Sequence, residues 1–356
     1  MGPQHPSTHG VFRVVLQMDG EIIKSGNSVV GYLHRGMEKL AEARTYPQFI
    51  PYTDRLDYLA GMCNNLAYVQ TIEKMLRVNV PARAEYLRVI FAELMRIASH
   101  LVAVGSFVMD LGAVTGIVYP FNHREKILDL CSMTCGSRMT FNYLRFGGVS
   151  HDIPWAFLPR LNYLLDYLEE GLKEYHDLVT DNEIFLARTK GVGIISTELA
   201  KSYGLTGPNA RASSVNYDVR KNHPYGIYPE LAFDIPLGEA GDVFDRYMVR
   251  MLEMEESLKI IRQAVRDLPE GPIQAVGISK VIKPPVGEYY HSTENPKGEL
   301  GFYIVSDGTT KPYRLQIRRP SFINLAILDQ VIPGVKLADV VAILASLDIV
   351  LGEVDG

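Results

Sequence analysis

The sequence is short of cysteine. Cys63, Cys131 and Cys135 are spread over 356 positions, too few for a disulfide framework, and a reducing compartment is expected. The same scarcity argues against a structural zinc site, which needs four ligands in a recognisable pair of spacings; only the loose Cys131–Cys135 pair is present. Cys63, alone in an apolar stretch, reads as a small buried residue. Strong charge of one sign is also missing. Lys and Arg number 36 against 41 Asp and Glu, a net −5, and there is no basic block, so no nucleic-acid partner is expected. Apolar runs such as LVAVGSFVM at 101–109 are too short to span a bilayer. The start has no charged stretch leading into an apolar one, so no signal peptide is expected. Internal repeats and low-complexity segments are absent. These absences together describe a chain soluble by itself that can still dock onto a membrane partner.

What is present is an ordinary globular mixture, 47% apolar and 22% charged, in a chain long enough for a large core. VFRVVLQM (11–18), Asp19-Gly20 and EIIKSGNSVVGYLH read as a β-hairpin, because Asp-Gly between two apolar-rich runs favours a tight turn. Phe12, Val14, Leu16 and Met18 share one face of its first strand. The period then turns helical. A short helix is expected over Arg35–Arg44. A longer one, capped by Thr53, carries Leu56, Leu59, Met62, Cys63, Leu66, Val69 and Ile72. A long central helix opens at Pro81, which suits a first helical position. Further helices are expected over HREKILDLCSMTC, WAFLPRLNYLLDYLEEGLKEYHDLV, VFDRYMVRMLEMEESLKIIRQAV and ADVVAILASL, the last ending at Asp348. Short strands return over 285–317. The expected class is α+β: a long-helix bundle with a small sheet formed from N- and C-terminal segments. Three stretches make up that one fold: 1–34, the hairpin and its preceding loop; 35–270, the helical bundle; and 271–356, a C-terminal α+β segment that completes it.

The preceding loop, GPQHPSTHG at 2–10, places His5 and His9 four residues apart. Pro6 pushes His5 away from the helical region, and the flanking glycines and prolines read as a loop. A helix-borne H-E-x-x-H metal motif is therefore disfavoured. Loop imidazoles titrate near neutrality and are suited to giving a proton to a substrate oxygen; the plain alternative is two exposed surface histidines. Tyr58 lies in DRLDYLAG, either a core tyrosine with a satisfied hydroxyl or a site residue. Asp110 lies in GSFVMDLGA, where a carboxylate amid apolar neighbours needs a partner; a histidine beside it would be held oriented and more basic. Glu93, Arg96 and His100 follow at helical spacing as a possible buried ion-pair ladder.

Read in order, GPQHPSTHGVFRVVLQMDGE, GYLHRGMEKL, YTDRLDYLAGMCNN, ELMRIASHL and YLRFGGV, through to SLDIVLGEVDG, resemble the D-subunit family of respiratory complex I, the NADH–quinone oxidoreductase. That family is in turn similar to the large subunit of nickel–iron hydrogenases, which implies a hydrogenase-large-subunit-like fold. The hydrogenase holds its metals with two cysteine-pair motifs. The corresponding thiolate positions here are Asp57, Ala60, Val350 and Glu353, and a soft metal cannot be held without thiolates. No metal and no cluster is therefore expected on this chain.

In the family the vacated cavity receives a quinone headgroup. The resemblance implies that His9 and Tyr58 hydrogen-bond its carbonyl oxygens, that Asp110 pairs with His9, and that His5 supports the same loop. Reducing a quinone adds two electrons and two protons, so positioned donors both stabilise developing charge and supply protons. Loss of those protons would then let Asp110 and the loop rearrange and pass a charge imbalance to membrane subunits. The electrons are implied to come from an iron–sulfur cluster in a neighbouring subunit, with Arg35 and Arg55 near it. The implied partners are the cluster-bearing B subunit, the C and I subunits, and the membrane-spanning H subunit. The implied location is peripheral, on the cytoplasmic side of the bacterial cell membrane. NADH is the family's upstream donor; the kind of quinone is left open. Thr140 stands where many members have a histidine that links cluster potential to pH, so that link should be weak or absent. Phe146 and Ile349 stand where proline is usual. Two other readings compete: a hydrogenase-related scaffold without a redox role, which would bind no quinone, and a metal hydrolase using His5 and His9, which metal analysis would reveal.

Overall fold

A computed structural model of the chain describes residues 1–5 and 10–356, with only the backbone of His5. The expected hairpin is present. Strands β1 (Arg13–Asp19) and β2 (Ile22–Val29) pair antiparallel, and Gly20 takes the positive φ of 59° that the tight turn requires. Phe12 and Val14 are buried, whereas Met18 is exposed, because the hairpin tip projects beyond the core. The free edge of β2 is taken by residues 334–337: Ile23 N donates to Val335 O at 2.9 Å and Gly334 N to Ile23 O at 2.8 Å. Strands β3 (Gly287–Asn295), β4 (Gly298–Ser306) and β5 (Arg314–Arg318) form a separate three-stranded antiparallel sheet. The two ends of the chain thus meet, but their strands are divided between separate small sheets. The reason is packing: the apolar face of β3–β5 has its own partner, a cluster in which Phe302, Ile304 and Leu315 meet Phe49 and Tyr68.

The helices are α1 (Met37–Ala43), α2 (Tyr46–Thr53), α3 (Gly61–Leu76), α4 (Ala82–Asp110), α5 (Val118–Cys135), α6 (Phe157–Tyr175), α7 (Val243–Arg266), α8 (Leu337–Leu347) and α9 (Leu351–Val354), with shorter turns of helix between them. Where the spacing predicts one helix from Thr53, the backbone makes two. Thr53 closes α2, its hydroxyl donating to Ile50 O at 2.8 Å, and α3 begins only at Gly61. Between them the Asp57 carboxylate accepts the Leu59 N–H at 3.0 Å, a local side-chain bond that competes with helical pairing. The apolar period runs through 54–60; the helix does not.

The central helix α4 has 29 residues, about 44 Å at the rise of an α-helix. Pro81 precedes it as an extended cap rather than as its first helical residue. α4 packs against α3, α5, α7 and α8, and from Leu87 to Val108 it is buried on nearly every side except at Val102 and Ser106. Its interior includes charge. Glu93 and Arg96 pair at 3.1 Å, as the spacing predicts, but His100 turns across to Glu253 of α7 at 2.9 Å. Glu93 also accepts from the hydroxyls of Tyr228 and Ser257, both at 2.6 Å, and from Arg220. Burial alone would raise its pKa; Arg96 and Arg220 win and hold it down at about 2. α7 is N-capped by Asp242, which accepts the Asp245 N–H at 2.9 Å. α8 ends at Asp348, whose φ of 52° turns the chain sharply. All three cysteines are free, Cys63 and Cys131 fully buried. Among the described residues no helix is long and apolar enough to cross a membrane.

Candidate functional site

Four turns converge on Asp57, Asp348 and Lys297. They are residues 54–60, the 31–36 loop, the tip of the β3–β4 hairpin, and the segment 348–356. Breaking the helix at 54–60 is what frees Asp57 and Tyr58 from a regular helical face. The turn is pinned from within: Asn64 Nδ2 donates to Asp57 O at 2.8 Å, and Asn295 at the hairpin tip donates to Asn64 at 2.7 Å.

At the centre is a buried lysine. Lys297 Nζ donates to Ser99 Oγ at 2.8 Å and lies 3.2 Å from Asp348 Oδ2 and 3.5 Å from Asp57 Oδ2. Burial would strip a lone lysine of its charge, but Asp348 and Asp57 keep this one a cation, its pKa above the ordinary value. On the carboxylate side burial dominates: Asp57 is pushed up despite Lys297. Glu353 is pushed up to about 7, first by burial and then by the charge of Asp57. One Glu353 oxygen accepts the Ser321 N–H at 2.9 Å; the other, Oε1, is buried without a hydrogen bond. Asp57 and Glu353, read from sequence as occupants of thiolate positions, thus do face one another electrostatically. Among the described residues no group of three or more His, Cys, Asp or Glu side chains is arranged to hold a metal ion.

Tyr58 is half-buried at the edge of this cluster. Its hydroxyl makes no hydrogen bond among the described residues, and its pKa is raised, by burial first and then by Asp57, against Lys297 and Arg35. The phenol stays protonated near neutrality and can donate to water or to a ligand. Arg35 lies beside it, with Nη2 donating to Gly352 O at 2.8 Å and to Arg55 O at 3.0 Å. Arg55 in turn donates to Pro51 O. Asp355 fixes the 31–36 loop, accepting the N–H groups of Gly31 at 2.7 Å and Leu33 at 2.8 Å.

Tyr58, Arg35 and Arg55 are therefore brought together. His9 lies outside the described residues, as does the side chain of His5. Gly10, which follows them, is described: a Cβ there would come within 2.9 Å of Leu351 Cδ1. The end of the loop thus abuts α9, one residue from Gly352. Asp110 is the last residue of α4 and is half-buried. Thr140 lies in a loop laid over Asp54, whose Oδ2 accepts the Asn142 N–H at 3.2 Å; burial pushes the Asp54 carboxyl up to about 7.

Sequence reasoning missed Lys297. N-P-K-G between two strand patterns reads as an exposed turn, and its lysine as a solvated charge. No signal in the sequence marks it, because the approach that seats the turn is tertiary: a Cβ on Gly207 would stand 2.6 Å from Gly298 Cα, so neither residue can carry a side chain there.

Known proteins align with this chain over nearly its whole length. The family model described as the 49 kDa subunit of respiratory-chain NADH dehydrogenase matches residues 110–280 and 274–356. The chain is 58% identical over 355 residues to the D subunit of NADH-quinone oxidoreductase from Desulforamulus reducens, covering 100% of this chain and 97% of the relative. It is 56% identical over 354 residues to the protein of the same name in Clostridium beijerinckii, covering 99% and 95%. The Bacillus cereus protein of that name is 53% identical over 356 residues, covering 100% and 97%.

Proposed function

Because the chain belongs to the family of the 49 kDa subunit of respiratory-chain NADH dehydrogenase, we propose that the rim of the charge cluster at Tyr58 is part of its quinone-reduction site. The chain is a subunit of the NADH–quinone oxidoreductase complex, and its partners are other subunits of that complex. In our reading Tyr58 and His9 donate to the two carbonyl oxygens of the quinone, and Asp110 pairs with His9, with His5 behind it. The stretches 1–34, 35–270 and 271–356 act as parts of one fold around this site. Electrons arrive from an iron–sulfur cluster in a neighbouring subunit, and Arg35 and Arg55 lie on that side. The immediate neighbours are the B, C and I subunits and the membrane-spanning H subunit, with the chain peripheral on the cytoplasmic face of a bacterial cell membrane.

The observation that carries the reading is the Tyr58 hydroxyl, kept protonated and without a hydrogen-bond acceptor among the described residues, at the rim of a charge cluster that holds no thiolate. A phenol in that state can give a proton to a substrate oxygen that gains electron density. Its fixed ring, backed by Gly352, supplies the geometry. The test is His9→Ala and Tyr58→Phe in the assembled complex. Each should leave NADH oxidation by a water-soluble acceptor intact and slow quinone reduction by on the order of 100-fold. Unchanged quinone turnover in both variants would reject the site.

A further inference from the structure

Asp57, Asp348 and Glu353 lie around Lys297, all four buried: Asp57 and Glu353 are 0% exposed, Lys297 2% and Asp348 9%. The second cation is Arg250, with Nε 3.6 Å from Asp348 Oδ2, and it is shared, because Asp348 and Glu253 both act on it. Other charged groups around the cluster are committed elsewhere. Arg319 donates to the carbonyls of Val354 and Gly356. Arg35 donates to the carbonyls of Gly352 and Arg55. Asp355 is taken by Gly31 and Leu33. Glu294, on the same hairpin as Lys297, pairs with Arg211 at 2.8 Å. Arg35 and Arg319 keep their charge, but among the described residues only Lys297 and Arg250 form ion pairs with the three carboxylates, and Glu353 forms none. A dry interior resolves such an unpaired carboxylate by taking up a proton, since leaving it charged is costly.

Glu353 Oε1 shows where the proton can sit: it is buried without a hydrogen bond, as are Asp57 Oδ2 and Asp348 Oδ2, but those two atoms face Lys297 at 3.5 and 3.2 Å. Burial and the charge of Asp57 push the Glu353 carboxyl up to about 7. Tyr58 follows Asp57 directly in the chain. A Cβ on Gly352, the neighbour of Glu353, would lie 3.2 Å from Tyr58 Cδ1. The donor proposed for the quinone thus follows Asp57 in the chain and packs against the backbone that precedes Glu353.

We propose that Asp57 and Glu353, steadied by Lys297 and Asp348, share one stored proton that re-protonates Tyr58 after it has donated to the reduced quinone. This rests on the quinone-site reading above. In the step, the Tyr58 O–H bond breaks and its proton bonds to the quinone oxygen, the two electrons having come from NADH through the complex. The tyrosinate then takes the stored proton, re-forming O–H. The carboxyl pair is left one charge more negative, attracted to Lys297, until solvent returns a proton. Asp57 and Glu353 are positioning and relay residues; neither touches substrate.

The test uses the assembled complex with Glu353→Gln and Asp57→Asn, near-isosteric changes that keep the volume and remove the titration. Infrared difference spectra at neutral pH should show the C=O band of a protonated buried carboxyl that shifts in D2O, and the band should vanish in Glu353→Gln. Quinone reduction should fall about tenfold or more in both variants, and its pH profile should flatten on the side where Glu353 titrates. Reduction of a water-soluble acceptor by NADH reports intact assembly. A carboxyl band unchanged in both variants, or wild-type rates and pH profiles, would overturn the stored proton. Tyr58→Phe separates the two ideas. If it slows quinone reduction while Glu353→Gln and Asp57→Asn do not, only the relay fails. If it has no effect, the quinone-site reading fails and delivery to Tyr58 fails with it, while the infrared band still decides whether the proton is held.

Discussion

Gly352 and Tyr58 are in near-contact: a methyl group on Gly352 would stand 3.2 Å from Tyr58 Cδ1 and 2.8 Å from the carbonyl oxygen of Leu56. The second distance is to backbone, which cannot swing aside. Gly352→Ala should therefore move the 54–60 turn relative to α9 at a cost of about 1–3 kcal/mol. Displacing a positioned donor by even part of an ångström is expensive in rate. Quinone reduction in the assembled complex should fall more steeply than complex yield, and steady-state kinetics beside a blue-native gel measure both.

Lys297→Met should be worse for folding than any change at Tyr58. It removes the cation between Asp57 and Asp348, leaving Asp57 without an ion-pair partner and Asp348 with Arg250 alone. Breaking a buried pair from one side costs about 3–5 kcal/mol. Urea unfolding of the purified subunit should show a midpoint well below wild type. Combining it with Asp57→Asn should restore part of the loss, because the stranded charge goes too.

Two buried glutamates should give opposite pH signatures. Glu93 has a pKa lowered from 4.5 to about 2. It contributes stability that is fully present above pH 4.5 and is lost as pH falls toward 2. Glu353 is raised from 4.5 to about 7. Between those values the unfolded chain releases a proton that the folded chain keeps, so stability should fall as pH rises from 4.5 to 7. Glu353→Gln should flatten that upper slope, and Glu93→Gln should remove the lower one while destabilising the protein throughout. Unfolding midpoints measured across pH 2–8 would show whether the two slopes have these signs.

Thr140→His should introduce a pH dependence into the potential of the iron–sulfur cluster we propose beside its loop. The position lies in the loop over Asp54, and an imidazole there titrates near neutrality. Redox titration of the complex at several pH values should give a steeper fall of the neighbouring cluster's potential with pH in the variant. Equal slopes in the two proteins would end the idea.

The helical period in the sequence was legible over long spans: α4, α7 and α8 lie where the apolar spacing puts them, and Asp348 ends α8 as expected. The spacing failed at 54–60, because periodicity reports which face is buried and is blind to a local Asp57–Leu59 hydrogen bond that breaks the helix. The N- and C-terminal strands were read correctly as strands but not as separate sheets, since sheet partnership is set by packing partners such as Phe49 and Tyr68 far away in the sequence. Asp57 and Glu353 surfaced through family resemblance. Lys297 did not, because a lysine in a Pro-Gly turn looks solvated until the tertiary fold drives that turn inward. His9, the residue on which the family resemblance bears most, lies outside the described residues.

The bond from Gly31 N to the Asp355 carboxylate joins positions 324 residues apart, and the pairing of β2 with 334–337 does the same in the backbone. A chain emerging from the ribosome can bury α3 and α4 early, since those contacts are local. It cannot shape the rim around Tyr58 until the segment carrying Glu353 has left the exit tunnel. Chemistry at that rim is therefore a property that synthesis switches on late, and truncated nascent chains should remain chemically silent however well their helices have packed.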